Sequence, residues 1–416
     1  MDTIGTSPPA SGDTAAGIVR GTAAYRRVSV ALFLAGFATF SLLYCVQPIL
    51  PELARDFRVD AATSSLALSL TTGALAVAIL AAGALSQALP RRELMFGSMA
   101  LASLCNVLAA ASPHWTLLLA ARCAEGMVLG GVPAVAMAFL AEEMHPGDLG
   151  KAMGLYVAGT AFGGMAGRVG MGLLTGWFSW RTAMATLGLL DLAMAIAFVA
   201  LLPRSRNFVP ERRLDPRHHL RVWFAHLRHP DLLRLFAIGF LAMSVFVTVF
   251  NYVGFRLVRP PFGLDQGEVS LLFLSYVLGI FVSSAAGHLV DRFGGRRPMA
   301  AAFALMAAGV AATTAHALAP IVLGIAALTA GFFAVHAIAS GGVGRLSGTA
   351  KGHAASLYLL FYYLGSSVTG SLGGRVWQHD GWTGIVVLGV VLSALGLALA
   401  LFPEKSARRE GRNPSR

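Results

Sequence analysis

Five ionisable residues stand inside long apolar stretches of this sequence: Arg122, Glu125, Arg168, Asp191 and His336. A charge at the centre of a membrane costs about 2.5–3.5 kcal/mol on insertion scales, so such residues normally face a cavity or a partner. Arg122 and Glu125 are three residues apart, which places them on one face of a helix. Groups of this kind could carry protons, bind a charged ligand, or only stabilise the helices that hold them.

Three of these residues allow more than one interpretation. Arg168 either binds an anionic group or pairs with an intramembrane acid, for which Asp191 in the next apolar stretch is a candidate. Burial disfavours the charged form of an aspartate, so Asp191 would also suit a proton carrier, although we favour the structural pair. His336 could titrate near neutral pH, but a hydrogen-bonded core histidine is the simpler interpretation.

Twelve apolar stretches must position these groups, and each is close to the roughly 20 residues that a helix needs to cross a membrane. Only 12% of the residues are charged, against about 25% in a soluble domain, so most of the chain must face lipid or itself. The third stretch is short and could merge with the fourth. The stretches are 28–50, 65–89, 94–111, 115–139, 153–175, 182–202, 234–256, 269–289, 298–316, 319–342, 354–376 and 382–402.

Basic residues are distributed unevenly among the loops that join these stretches. If both termini lie on one side, that side holds 24 Lys and Arg residues and the opposite side holds six. The positive-inside rule therefore predicts that both termini and the 203–233 loop are cytoplasmic. The net charge of +12 indicates orientation in a membrane and not binding to nucleic acid.

Motifs for enzymatic chemistry are missing from the sequence. It contains no His-Glu-x-x-His, no Gly-x-Ser-x-Gly and no cofactor motif, and without a Walker A loop ATP is not a direct energy source. Cys45, Cys105 and Cys123 all fall within apolar stretches, so no disulfide framework is expected. We expect no catalytic residue, no metal and no cofactor. An intramembrane enzyme or a receptor is the class that the sequence favours least.

The chain repeats its plan in its second half. At an offset of 202 residues, Tyr156 and Trp180 meet Tyr358 and Trp382. Each half holds six stretches, and transporters commonly place substrate between such repeats. The predicted domains are a disordered tail 1–27, a bundle 28–202, a linker 203–233, a second bundle 234–402 and a tail 403–416.

Two loops follow the pattern Gly-x-x-x-Asp-Arg/Lys-x-Gly-Arg/Lys-Arg/Lys. The second copy is clear apart from the inserted Gly295, and the first is degraded, with Gln87 for Asp and Pro90 for Gly. On this pattern the chain resembles the major facilitator superfamily over nearly its whole length, and within it the drug:proton antiporter (multidrug/sugar efflux-like) branch. The resemblance implies a gating latch, the alternative being a basic turn without that role. The candidate gating residues are Gly83, Arg91, Arg92, Gly287, Asp291, Arg292 and Arg296.

Two span motifs extend the resemblance. Proton-coupled members carry an Arg three residues before Gln-Gly in span four, where this chain has Arg122, Glu125 and Gly126. The span-five antiporter motif is Gly-x-x-x-Gly-Pro-x-x-Gly-Gly, and here Gly164 replaces the Pro and Arg168 the last Gly. The motif keeps three glycines, Gly159, Gly163 and Gly167. These glycines predict close helix packing, which we expect to be against Gly279, Ser283 and Gly287 of span eight.

The resemblance implies an all-α membrane protein of twelve transmembrane helices in two six-helix pseudo-symmetric bundles. Spans one, four, seven and ten line the cavity in that family, so Tyr44, Gln47, Asn251 and Tyr252 become candidate substrate contacts. Tyr362 and Tyr363 are weaker candidates. The alternative is that these tyrosines are interfacial aromatics, which are common at headgroup depth.

The sequence therefore favours a secondary active transporter that exports small organic molecules by proton antiport and alternating access. A symporter, uniporter or lipid exporter on the same fold is the second hypothesis, because the span-five motif is altered. The expected partners are a small-molecule substrate, protons and the lipid bilayer. A functional monomer in a bacterial inner membrane is expected.

Overall fold

The computed structural model describes residues 17–85, 89–205, 216–348 and 350–402. Within them the structure is all-α, apart from an isolated bridge between Ile18 and Met144. A 3₁₀ segment, Leu271–Ser275, continues into α12, and a π-helical segment, Gly365–Thr369, joins α15 to α16. The helices are α1 Ala23–Tyr44, α2 Leu50–Asp56, α3 Ala61–Leu85, α4 Arg91–Ala110, α5 Trp115–Leu129, α6 Pro133–Glu143, α7 Pro146–Trp177, α8 Trp180–Leu201, α9 Pro216–Leu227, α10 Pro230–Leu257, α11 Gln266–Ser270, α12 Tyr276–Phe293, α13 Arg296–Ala312, α14 Leu318–Leu346, α15 Lys351–Leu364 and α16 Gly370–Leu401.

Each predicted apolar stretch falls on these helices. In the described part of the chain, eight helical segments are long and apolar enough to cross a membrane. Stretch 115–139 is divided between α5 and α6, because Pro133 starts α6 after a short turn and brings no N–H to bond with the preceding helix. Gly381, at φ 59°, breaks α16 between the last two stretches.

The ends of the predicted domains are only partly described. Residues 1–16, 206–215 and 403–416 lie outside the described residues, as does Gln87. Residues 17–27, which the sequence assigns to a disordered tail, are ordered: the Ile18 N–H donates to the Glu143 carbonyl at 2.8 Å. Thr22 caps α1 by accepting from the Tyr25 N–H at 3.1 Å. The described part of the predicted linker contains α9, and α10 begins at Pro230.

The helices form two sets that pack mainly within themselves. In the first half, α1 packs against α7, α8 and α4, and α3 packs against α5. In the second half, α10 packs against α14, α15 and α16, and α13 against α14 and α16. The two sets meet where α3 contacts α15 and α16 and where α7 contacts α11. The chain therefore has a boundary between two halves, and the cavity described below lies on that boundary.

The glycine stripe of α7 packs against α1, so its expected packing against Gly279, Ser283 and Gly287 of α12 is wrong. A Cβ added at Gly159 would lie 2.5 Å from the Phe33 carbonyl oxygen, and one at Gly163 would lie 2.2 Å from that of Phe37. At Gly167 the Ser41 Cα would be 2.6 Å away. The glycines let two helix backbones of the same half touch. On α12, Gly279 faces the ring of Phe333 in α14.

Candidate functional site

A cavity of about 460 Å³ lies between the two sets of helices. Its walls come from α1 and α7 on one side and from α10, α12, α14 and α15 on the other. Met153 and Gly154, near the start of α7, belong to the wall, as does Leu359 in α15. The cavity therefore extends toward the side of the molecule on which α7, α10 and α15 begin, here called the linker side.

On the opposite side, here called the far side, the two halves touch. The Gln47 Nε2 donates to the Asn251 Oδ1 at 2.7 Å, joining the chain after α1 to α10. A Cβ added at Gly374 in α16 would lie 2.3 Å from the Ala62 Cα in α3. A Cβ at Gly172 in α7 would lie 2.2 Å from the Ser270 Cβ. These contacts close the far end of the cavity.

Arg168 projects from α7 into the wall of the cavity, and its side chain is almost fully buried. Its Nε donates to the Gln47 Oε1 at 2.7 Å and its Nη1 to the Gly164 carbonyl at 2.6 Å. The guanidinium carbon lies 3.9 Å from the centre of the Tyr44 ring and 4.9 Å from that of Tyr276. The predicted ion pair between Arg168 and Asp191 does not form, and the guanidinium donates to Gln47 and Gly164 instead.

The candidate substrate contacts separate into three groups. Tyr44 and Tyr362 line the cavity. Gln47 and Asn251 instead lie in the far-side contact. Tyr252 lies outside the cavity wall, because its hydroxyl donates to the Gly370 carbonyl at 2.7 Å and its ring stacks on Trp377.

His336 is a hydrogen-bonded histidine on the cavity wall. Its Nδ1 lies 2.9 Å from the Tyr358 hydroxyl, and its ring centre is 4.9 Å from that of Tyr362. Phe332, one turn earlier, stacks on Phe246 with ring centres 3.9 Å apart. The second half thus supplies an aromatic wall opposite Arg168.

Arg122 and Glu125 form a fully buried ion pair in α5, with the Arg122 Nη1 2.6 Å from the Glu125 Oε2. The same guanidinium donates to the carbonyls of Leu42 and Leu43 at the end of α1, at 3.2 and 2.9 Å, and to that of Ala67 in α3 at 3.2 Å. The pair therefore joins three helices of the first half. Within the described part of the chain, the second carboxylate oxygen of Glu125 has no hydrogen-bond partner.

Asp191 lies buried in α8, and no basic side chain among the described residues forms an ion pair with it. It faces the Ser41 hydroxyl of α1 and is close enough to Glu125 for their charges to interact. Burying a carboxylate without a partner is strongly unfavourable, and binding a proton removes that penalty. Asp191 and Glu125 thus form a compact acidic centre beside Arg122.

The first loop motif forms contacts within the first half. Arg91 makes a two-pronged ion pair with Glu142 at the end of α6, its Nε lying 3.1 Å from the Glu142 Oε2. Arg92 donates to the Val199 carbonyl in α8. Gly83 lies in α3, close to its end. These arginines fasten the ends of neighbouring helices to one another.

The second loop motif is open to solvent. Asp291, Arg292 and Arg296 are exposed at the end of α12 and the start of α13, and Arg296 donates to the Leu401 carbonyl. A Cβ added at Gly287 would meet no atom within 4 Å. The linker-side end of α12 is therefore free of contact at this glycine, which agrees with a cavity that extends to that side.

Sequence reasoning missed several cavity residues of the second half. Phe246, Tyr276, Phe332 and Phe333 line the cavity, yet they stand among many aromatic residues in stretches that are apolar all round. A helix without a polar face gives no signal of which side faces the cavity. The pairing of Gln47 with Asn251 was also missed, although both residues were singled out.

The major facilitator superfamily model matches residues 32–260 and 257–416. The uncharacterized MFS-type transporter YybF of Bacillus subtilis (strain 168) is 42% identical over 92% of this chain and 94% of its own. The inner membrane transport protein YnfM of Escherichia coli (strain K12) is 43% identical over 88% of each chain. A bacterial homologue of the human lysosomal transporter Spinster, solved inward-facing and unoccupied, superposes with a TM-score of 0.77 at 13% identity, covering 96% of this chain and all of that one.

Proposed function

This chain belongs to the major facilitator superfamily of membrane transporters, which are not enzymes, and we propose that it exports small organic molecules by proton antiport. The observation that carries the proposal is the cavity between the two halves, walled by helices of both and closed on the far side. A cavity at the interface of repeats is where transporters of this kind hold substrate.

We propose further that the two sets of helices are six-helix bundles, 28–202 and 234–402, which rock about the cavity. The positive charge of the linker side argues that it is cytoplasmic, with both termini on that side. The arrangement is then inward-facing, and a bacterial inner membrane is the proposed location. Two complete bundles allow one chain to act as a monomer.

Proton coupling is assigned to the acidic centre of the first half. Among the described residues, Asp191 is buried without an ion-pair partner, and one carboxylate oxygen of Glu125 lacks a hydrogen-bond partner. The Arg122 side chain joins α5 to α1 and α3 through hydrogen bonds. A change in charge beside it therefore alters the contacts among these three helices of the first half. Asp191 is the first candidate for the proton carrier, because Glu125 already has a cationic partner.

A second candidate function is proton symport. Arg168 replaces a glycine of the antiporter motif with a buried cation on the cavity wall. A transporter that moves a substrate together with a proton would use the same acidic centre. The two candidates share every residue assigned above and differ in the direction in which proton and substrate move.

The test uses inverted membrane vesicles that are energised while a dye reports lumenal pH. Addition of a substrate should collapse the pH gradient in the wild type and not in Asp191→Asn or Glu125→Gln. Glu52→Gln is the control, because Glu52 lies on the short helix α2 and pairs only with the exposed Arg55 among the described residues. If both acidic-centre variants keep the wild-type response, the proton-coupling assignment is wrong. Substrate transport without any change in lumenal pH would indicate a uniporter.

A further inference from the structure

We infer that the cavity takes an organic anion with one negative charge on an aromatic or apolar body. The inference rests on the proposed function, since it names the substrate class of that same cavity. It is carried by Arg168, by the composition of the wall around it and by the way in which the guanidinium is held.

The charge of Arg168 is unbalanced within the cavity. Among the described wall residues it is the one charged side chain, and no aspartate, glutamate or lysine accompanies it. No described carboxylate lies within 4 Å of its nitrogens, since its partners are the Gln47 amide and the Gly164 carbonyl. A buried cation without a counter-ion is costly, and a bound anion supplies the missing charge.

The guanidinium is fixed in place before any ligand arrives. Gln47 holds Nε and Gly164 holds Nη1, while the rings of Tyr44 and Tyr276 flank the guanidinium carbon at 3.9 and 4.9 Å. Gly164 contributes directly, because a Cβ there would come within 3.3 Å of Nη1. The Tyr276 hydroxyl also interacts with the guanidinium. An oriented guanidinium of this kind recognises carboxylates and similar planar anions.

The rest of the wall selects the body of the ligand. Phe246, Phe332, Phe333 and Tyr362 surround the space opposite Arg168, and rings of this kind favour flat apolar groups. A volume of about 460 Å³ lies in the lower part of the roughly 300–1,000 Å³ range of drug-sized pockets. One or two fused rings bearing a carboxylate would fit both features.

The experiment measures binding to the purified full-length chain by calorimetry with three probes of one shape. They are 2-naphthoate, 2-naphthamide and 2-naphthylmethylamine, which differ mainly in charge. The wild type should bind the acid at least about tenfold more tightly than the amide, as a charge-assisted hydrogen bond implies. Arg168→Gln should remove that preference and leave amide binding within about twofold, while Arg168→Lys should retain part of it.

Arg181→Gln is the matched control, because Arg181 donates to the carbonyls of Ala110 and Ser112 outside the cavity. The comparison of probes on the wild type needs no variant, so the inference stays testable if Arg168→Gln does not fold. Failure of the wild type to bind 2-naphthoate, or equal binding of the amide or amine, overturns it. If the acid binds but is not transported together with a proton signal, the proposed proton coupling is wrong and the inferred substrate class stands. If the amine is transported with a proton signal, the inferred substrate class is wrong and the proposed coupling stands.

Discussion

Gln47 holds the closed far side of the cavity, and replacing it should open that side. Its amide accepts from Arg168 of the first half and donates to Asn251 of the second, each at 2.7 Å. Gln47→Leu removes both bonds while keeping similar bulk. Because only the bond to Asn251 crosses between the halves, its loss weakens the closed arrangement relative to the far-side-open one.

The size of the effect follows from burial. Gln47 and Asn251 are 2% and 1% exposed, so water does not replace the lost bond. Hydrogen bonds between helices in membrane proteins contribute about 0.6 kcal/mol on average and up to about 1.7. The Asn251 Nδ2 is already without a partner, and the change would leave its carbonyl without one too. We expect about 1–2 kcal/mol, a shift of about 5- to 30-fold in the ratio of conformations.

The measurement is a distance distribution between spin labels on the far side. Labels at Arg55 in α2 and His379 in α16, both exposed, would report separation of the halves in a chain whose three cysteines are replaced. Gln47→Leu should raise the population of long distances at least fivefold. Ser244→Ala is the control, because it breaks a buried 2.9 Å bond to Thr369 inside the second half. An unchanged distribution, or an equal change in both variants, would refute the reasoning.

Two further predictions concern packing and pH. Gly163→Ala should lower the melting temperature, because its Cβ would lie 2.2 Å from the Phe37 carbonyl oxygen and overpacking costs about 1–3 kcal/mol; Gly154→Ala, which meets no atom within 4 Å, should not, and equal losses would contradict the packing. The His353 Nε2 lies 2.9 Å from the His219 Nδ1, and burial, followed by the neighbouring histidines, lowers the pKa of His353. Protonation of His353 should therefore begin only below the ordinary histidine value of about 6.5 and should then loosen α9, so proteolysis of α9 should accelerate as the pH falls below that value, and His353→Ala should remove this acceleration.

Long apolar stretches made the helices predictable, and polar residues inside them made part of the site predictable. Arg122 and Glu125 pair as their spacing indicated. Arg168 and His336 were singled out because ionisable groups are rare at membrane depth, and both lie on the cavity wall. That the helices exist follows from composition and length, which are local properties of the sequence.

The partners of these groups could not be predicted, because they depend on how each helix is rotated. Arg168 meets Gln47, which is 121 residues away, and not Asp191 on the next long helix. The glycines of α7 were assigned to the wrong neighbour for the same reason. A stripe of small residues shows that a close contact exists and leaves open which helix makes it.

The buried charges bear on which coupling mode applies if the substrate is an anion. Arg122 pairs with Glu125, and Arg168 has no described carboxylate within 4 Å of its nitrogens. A bound monoanion neutralises Arg168, which leaves Asp191 as the uncompensated charge, and a proton on Asp191 removes that charge. Since an uncompensated buried charge costs several kcal/mol, anion and proton should occupy the protein together, so an anionic substrate supports the second candidate function, symport, and antiport is expected for a neutral or cationic substrate.

The two modes differ in the charge that one cycle moves. Symport of a monoanion with a proton is electrically neutral, whereas antiport moves a negative charge outward and a positive charge inward. In proteoliposomes without a pH gradient, a potassium diffusion potential should therefore leave the flux of 2-naphthoate unchanged, while a pH gradient alone should drive it. A flux that follows the potential would show that the anion does not travel together with a proton. The charge argument would then be wrong, and a change in lumenal pH during transport would separate antiport from uniport.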